Sequence, residues 1–201
     1  MQKLDLKKLE DELYRHGLAG FRRLRDAHPM DEFYCFAFYT NGEMNYVGVT
    51  ASTYQGLDKV AQEYKKKPRY MAMTIEDLRL DLKWSPCDSP LHDNADNDLT
   101  ALDSLMQAVD AELSRRFDRK DDGKSFKEFE AQVRGCFASA LKRIDAEGVF
   151  GSGDQRKKVI ANLLMGDQSD EDRIGFAARV NPAESVRMLK QDLEAASRLR
   201  R

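Results

Sequence analysis

No apolar run in this chain approaches the roughly 20 residues needed to span a bilayer. The stretch from Met1 to Glu10 alternates Lys, Asp and Leu and lacks the apolar core of a secretory signal, so the chain reads as cytoplasmic. An excess of one charge is missing too. Lys and Arg total 33 against 35 Asp and Glu, a net charge of -2. That balance gives no field to draw the protein onto nucleic acid or an anionic membrane. Cysteines are few and far apart: Cys35, Cys87 and Cys136 form no C-x-x-C pair and read as reduced thiols, not as a disulfide framework.

Recognisable reaction chemistry is equally sparse. His16, His28 and His92 lack H-x-x-x-H or H-E-x-x-H spacing, so no metal site is expected. The acidic run from Asp93 to Asp98 fails as a calcium loop. Its third and sixth positions are Ala95 and Asp98, where an oxygen ligand and a glycine are required. Gly151 to Lys158 carries glycines and basic residues but matches neither phosphate-binding fingerprint and reads as a connecting loop. No G-x-S-x-G elbow is present, and no cysteine sits in a nucleophile motif beside a histidine. No catalytic residue and no cofactor are assigned.

Hydrophobic residues at 41% and charged residues at 34% are enough for one globular core, and a single domain over 1–201 is expected. An amphipathic helix opens the chain, with Leu6, Leu9, Leu13, Phe21 and Leu24 on one stripe, weakened by Gly17 and Gly20 and ended before Pro29. Phe33 to Thr40, Asn41-Gly42 and Glu43 to Thr50 predict a β-hairpin with a type I′ turn. Its first strand is apolar on both faces and belongs in the centre of a sheet; its aromatic residues are better read as core than as a base-stacking platform.

Ser52 and Gln55 have capping-box spacing for a second helix, carried by Tyr54, Leu57, Val60, Ala61 and Tyr64 and stopped at Lys65-Lys66-Lys67-Pro68. Strict alternation from Leu78 to Trp84 predicts a half-buried strand, and Ser85 to Asn97 a loop. Two long helices follow. Leu99, Leu102, Met106, Val109, Leu113 and Phe117 form the stripe of one; the other opens on a Ser125/Glu128 capping box and stops at Gly148. Val159 to Met165 fits a buried strand or a short helix. Asp167 to Asp172 reads as an acidic turn, and Asn181-Pro182-Ala183-Glu184 as the start of a last helix. The expected fold class is α+β: a small, mainly antiparallel sheet of three or four strands with five or six packing helices.

Several segments carry a family resemblance: Phe33 to Tyr39 after the first helix, Leu82-Lys-Trp84-Ser-Pro86, Asp145 to Gly151, and Val180-Asn181-Pro182 before the last helix. In this order they resemble a bacterial family known as domain of unknown function 4303. Family members often have a second tryptophan after Trp-Ser-Pro; here Cys87-Asp-Ser-Pro-Leu holds none. The resemblance implies association with secreted toxin systems and a role as an immunity protein. The function expected is therefore non-enzymatic protein binding, with a cognate toxin as partner and neither membrane nor nucleic acid. Asp93, Asp96, Asp98, Asp167, Asp170, Glu171 and Asp172 are the candidate contact residues, since acidic patches can stand in for a nucleic-acid substrate. Two alternatives stand beside it: an enzyme with a site assembled from scattered residues, lined by Trp84, Tyr39 and acids, and a module that dimerises through the aromatic hairpin.

Overall fold

The computed structural model describes residues 4–92 and 100–200. Helix α1 (Leu6–Ala27) begins where the Asp5 carboxylate accepts from the backbone of Lys7 and Lys8, satisfying amide groups that have no partner inside the helix. It buries Leu9, Leu13, Phe21 and Leu24, as the stripe predicts, and also Gly17 and Gly20. Gly17 is more than a weak point in the helix. A Cβ there would lie 2.4 Å from Phe38 Cζ and 2.9 Å from Ile144 Cδ1, so its bareness lets α1 approach the sheet.

Strands β1 (Phe33–Thr40) and β2 (Gly48–Thr53) pair antiparallel, which realises the hairpin. The expected two-residue turn does not form. Residues 41–47 make a longer loop, and neither Asn41 nor Gly42 has positive φ. The reason is Met44, fully buried with φ 52°, together with buried Val47: the loop dips into the core and cannot turn tightly. Asn41 serves instead as a local acceptor, its Oδ1 taking the Asn45 amide at 3.2 Å.

Helix α2 (Tyr54–Lys65) is capped by Thr53, whose Oγ1 accepts from Gly56, rather than by Ser52. Ser52 remains in the sheet opposite Cys35, and Gln55 Oε1 accepts from the Glu32 amide at 2.9 Å. Lys65 ends the helix as expected, and Pro68–Tyr70 forms a 3-10 turn.

The predicted strand over 78–84 is overturned: helix α3 (Ile75–Leu82) stands there. Thr74 and Asp77 cap it reciprocally, and Leu78 and Leu82, one helical turn apart, are buried. Leucines at every second position satisfy strand alternation and the i, i+4 helix spacing alike, and the Thr74/Asp77 box decides between them.

A two-residue strand, β3 (Leu91–His92), pairs antiparallel with β2. Helices α4 (Thr100–Phe117) and α5 (Lys124–Ala146) pack together and bury Leu102, Met106, Val109, Leu113, Phe129, Val133, Phe137 and Ile144. Leu99 lies outside the described residues. Phe117, expected in the core, is 72% exposed at the helix end and meets Phe126 edge-on. The α5 cap is Gly123 in the left-handed conformation, so Ser125 and Glu128 form no capping box.

Helix α6 (Gly153–Arg156) leads into β4 (Ile160–Met165), wholly buried, so of the ambiguous stretch 159–165 all but Val159 is strand. It pairs parallel with β1, from Cys35 beside Ile160 to Thr40 beside Met165. Helix α7 (Asp170–Ala177) follows, capped by Ser169, in place of an acidic turn. Helix α8 (Ala183–Leu199) starts after Pro182, one position later than expected, because the Asn181 side chain is engaged with β4.

The architecture is α+β, with eight α-helices among the described residues and a four-stranded sheet in the order β3-β2-β1-β4. Two of the three pairings are antiparallel. One sheet face is covered by α1, α4 and α5, the other by α2, α3 and α8, with α7 at the β4 edge sending Phe176 to one core and Ala177 to the other. A register shift between Phe33 and Cys35 inserts one residue in β1. Alternation therefore resets, so Tyr34 and Cys35 both join the second core while Phe36 joins the first. Among the described residues, no helix is long and apolar enough to cross a membrane.

Candidate binding site at the carboxyl end of the sheet

Because β1 and β4 run parallel, both release the chain at the same edge. Loops leaving adjacent parallel strands part there, and the gap between them is where open α/β sheets place their ligands. Here the departing segments are 41–47 and 166–169, and two clefts share Gly166 between them.

The first cleft, about 350 Å³, is lined by Tyr39, Tyr46, Cys87, His92 and Asp167. The Tyr39 ring lies over Gly48, where a Cβ would come within 2.2 Å of it, and meets Tyr46 and His92 edge-on at 6.1 and 5.1 Å. Hydroxyls hold the neighbouring segment to β2: Thr50 Oγ1 donates to Ser89 Oγ at 2.7 Å, and Ser89 Oγ donates to the Ala51 carbonyl at 2.9 Å. His92 is thereby fixed at the cleft wall. Burial pushes its pKa below 6.5, and its Nδ1 is buried without a partner among the described residues. The Cys87 thiol is exposed.

The second cleft, about 250 Å³, lies between α3, α7 and α8 and includes Trp84, Gln168, Asp170, Arg173 and Arg200. Arg173 is 9% exposed, on the same helical face as Phe176 and Ala177. Its Nη1 donates to Asp170 Oδ1 at 3.2 Å, but its Nε is buried without an acceptor. Burial lowers its pKa, against the pull of Asp170. Gln168 Nε2 donates to the Leu163 carbonyl at 3.2 Å, while its Oε1 is buried without a donor. At the rim Arg200 Nε pairs with Asp81 at 2.7 Å.

Trp84 is held from behind. Its Nε1 donates to Asp192 Oδ2 at 3.1 Å, and the same carboxylate pairs with Lys83 at 2.8 Å. The Lys83 ammonium lies 5.1–5.4 Å from the ring centres of Tyr34, Tyr54 and Trp84, a cation held by aromatic faces. Tyr34 donates to the Lys83 carbonyl at 2.8 Å, and burial raises its pKa far above the usual tyrosine value.

Of the acids picked out in the sequence, Asp93, Asp96 and Asp98 lie outside the described residues. The others come together. Asp167 is exposed at the first cleft, Asp170 lines the second, and Glu171 and Asp172 are exposed beside it. Asp170, Glu171 and Asp172 occupy the first turn of α7, where negative charge complements the helix dipole. Trp84 and Tyr39, which the enzyme alternative expected to line one site, line separate clefts; Arg173 and Gln168 escaped notice. Arg173 left a trace, since it precedes Phe176 and Ala177 by three and four residues on what proves to be a buried face. Of the hairpin aromatics, Tyr34, Phe36 and Phe38 are each 1% exposed and belong to the two cores, while Tyr46 is 43% exposed and Tyr39 lines the first cleft beside it.

Two of the resembling segments, Asp145 to Gly151 and Val180 to Pro182, lie at the opposite, amino end of the parallel pair, whereas Trp84 and Ser85 of another line the second cleft. Arg156, 7% exposed, pairs with Asp145 at 2.6 Å and donates to Asn181 Oδ1 at 3.1 Å. Asn181 in turn bonds the Ala161 amide and carbonyl, both at 2.7 Å. Asp145 and Asn181 are thus brackets for β4. Comparison with curated proteins and with solved structures gave no match. The family model described as "Domain of unknown function (DUF4303)" matches residues 13–182, and the chain belongs to that family.

Proposed function

We propose that the protein works inside the cell by binding another protein: an immunity protein that neutralises a cognate bacterial toxin by contact. The observation that carries this reading is the acidic edge at the carboxyl end of the sheet. Asp167, Glu171 and Asp172 are exposed there and carry no ion pair among the described residues. The helix dipole accounts for acids in the first turn of α7, but not for Asp167, which precedes the helix. A toxin that acts on nucleic acid presents a basic site, and such an edge complements it in sign and speeds encounter.

Co-expression with the product of the neighbouring reading frame tests the proposal. A stable complex and restored growth are expected, with an association rate that falls as salt rises. Changing Asp167, Glu171 and Asp172 together to Lys is expected to slow association at least tenfold, with a small fall in the unfolding midpoint because the first turn of α7 then carries the wrong charge for its dipole. Absence of both complex and rescue overturns the reading.

A second reading, an enzyme assembled from scattered residues, has the first cleft in its favour. An exposed thiol, Cys87, and a histidine with lowered pKa, His92, line one cavity with two tyrosines. Alkylation of Cys87 measured against pH separates the two. An inflection below pH 6.5, lost in His92→Gln, supports the enzyme; an ordinary thiol titration counts against it.

A further inference from the structure

We propose that the second cleft is a binding site for a carboxylate that carries an N–H on its α-carbon and an apolar side chain, as in an α-amino acid or the last residue of a peptide. The argument starts from two unmet needs. Arg173 Nε–H is buried without an acceptor, and Gln168 Oε1 is buried without a donor. Each such group costs about 1–3 kcal/mol, so folded chains seldom leave two in one place. Both side chains line the same cavity, and what they lack is complementary: one wants a lone pair, the other a hydrogen.

The remaining lining narrows the ligand. Two guanidinium groups, Arg173 and Arg200, face two carboxylates, Asp170 and Asp81, each pair bonded. Formal charge on the lining is therefore balanced and does not recruit a simple anion. It suits a ligand that presents a carboxylate to arginine and an N–H nearby, through charge-assisted bonds that strengthen away from water. Leu80, Trp84, Leu193 and Ala196 supply an apolar wall. At about 250 Å³ the space falls below the roughly 300–1,000 Å³ of pockets for drug-sized molecules and suits a single residue. Rigidity behind the wall is provided by Asp192 and Lys83, which fix Trp84. The site does not depend on the toxin reading: apart from Asp170 it is walled by other residues, and it is tested with small molecules.

The test is a titration of the full chain followed by amide and indole NMR shifts. The ligands are leucine, N-acetyl-leucine, N-acetyl-leucinamide and a pentapeptide ending in leucine, its carboxyl free or amidated. Free carboxylates are expected to shift residues 166–173 and the Trp84 indole N–H, and amidated forms to bind at least tenfold more weakly. Tighter binding of free leucine identifies a metabolite, and tighter binding of the free-carboxyl peptide identifies a chain terminus; either supports the site. Arg173→Gln is expected to abolish the response. Should that variant fail to fold, Gln168→Leu decides: it retains the arginine and is expected to weaken N-acetyl-leucine about fivefold. Equal shifts from acetate or inorganic phosphate mean an adventitious ion only. No shift from any ligand means that water satisfies both groups. Either result overturns the proposal.

Discussion

The two faces of the sheet are both covered by helices, yet they are packed from different materials. Against α1 and α5 the core is aromatic and aliphatic: Phe21 meets Phe36, Phe38 and Phe150 at 5.5–5.6 Å, and Phe38 meets Phe137 at 5.5 Å. Against α2, α3, α7 and α8 the packing includes Tyr34, Lys83, Trp84, Asp192, Asn162 and Arg173, each with a polar atom that needs a partner. The apolar face depends on volume and tolerates approximate geometry. The polar face depends on direction, because a misplaced donor costs more than a misplaced methyl group. Both orphaned groups of the second cleft lie beside this second packing.

The comparison breaks most visibly with Phe38→Ala. Removing a fully buried ring that touches Phe21 and Phe137 is expected to cost about 3–5 kcal/mol in urea unfolding, with the second cleft lost only through global unfolding. On the polar face, Asp192→Asn leaves Lys83, 12% exposed, without its counter-charge but keeps an acceptor for the indole. A loss of about 2 kcal/mol is expected, below that of a fully buried pair because Asp192 is 22% exposed. The Trp84 fluorescence should change before the unfolding transition does. Thr74→Ala removes one half of the α3 capping box and is expected to cost about 1 kcal/mol, with hydrogen exchange rising in 75–82 and not in α1.

The smallest effect sharpens the contrast through pH. His92 has a folded pKa below its ordinary 6.5, because burial disfavours the imidazolium. Below 6.5 the unfolded chain therefore binds a proton that the folded chain resists, and stability rises with pH. The contribution is complete above 6.5 and is lost as the pH falls from there toward the folded value. Urea midpoints measured from pH 7.5 to 5 should show this slope, and His92→Gln should flatten it.

Elements with one dominant period were legible in the sequence. The α1 stripe from Leu9 to Leu24 and the α5 stripe from Phe129 to Ile144 formed as read, and an unbroken apolar β1 proved central. Where two periods coincided the reading went wrong. Leu78, Leu80 and Leu82 fit a strand and a helix equally, and the capping pair Thr74/Asp77 was the discriminating signal. Caps slipped by one or two residues at Thr53, Gly123 and Pro182, since Ser52, Ser125 and Asn181 have the right chemistry but tertiary partners elsewhere, a buried position or another conformation. In the candidate site the acidic edge was visible as composition. Arg173 and Gln168 were not, because their significance lies in what fails to meet them.

By itself the sequence determined the secondary-structure class of most segments, the α+β architecture, the centrality of β1 and the family, since these follow from periodicity and residue type along the chain. Only the tertiary structure decided that β4 runs parallel to β1, that Gly17 must be bare, and that Arg173, Gln168 and Trp84 share one cleft. Those facts depend on which distant surfaces meet, and no local pattern records the partner of a side chain 80 residues away.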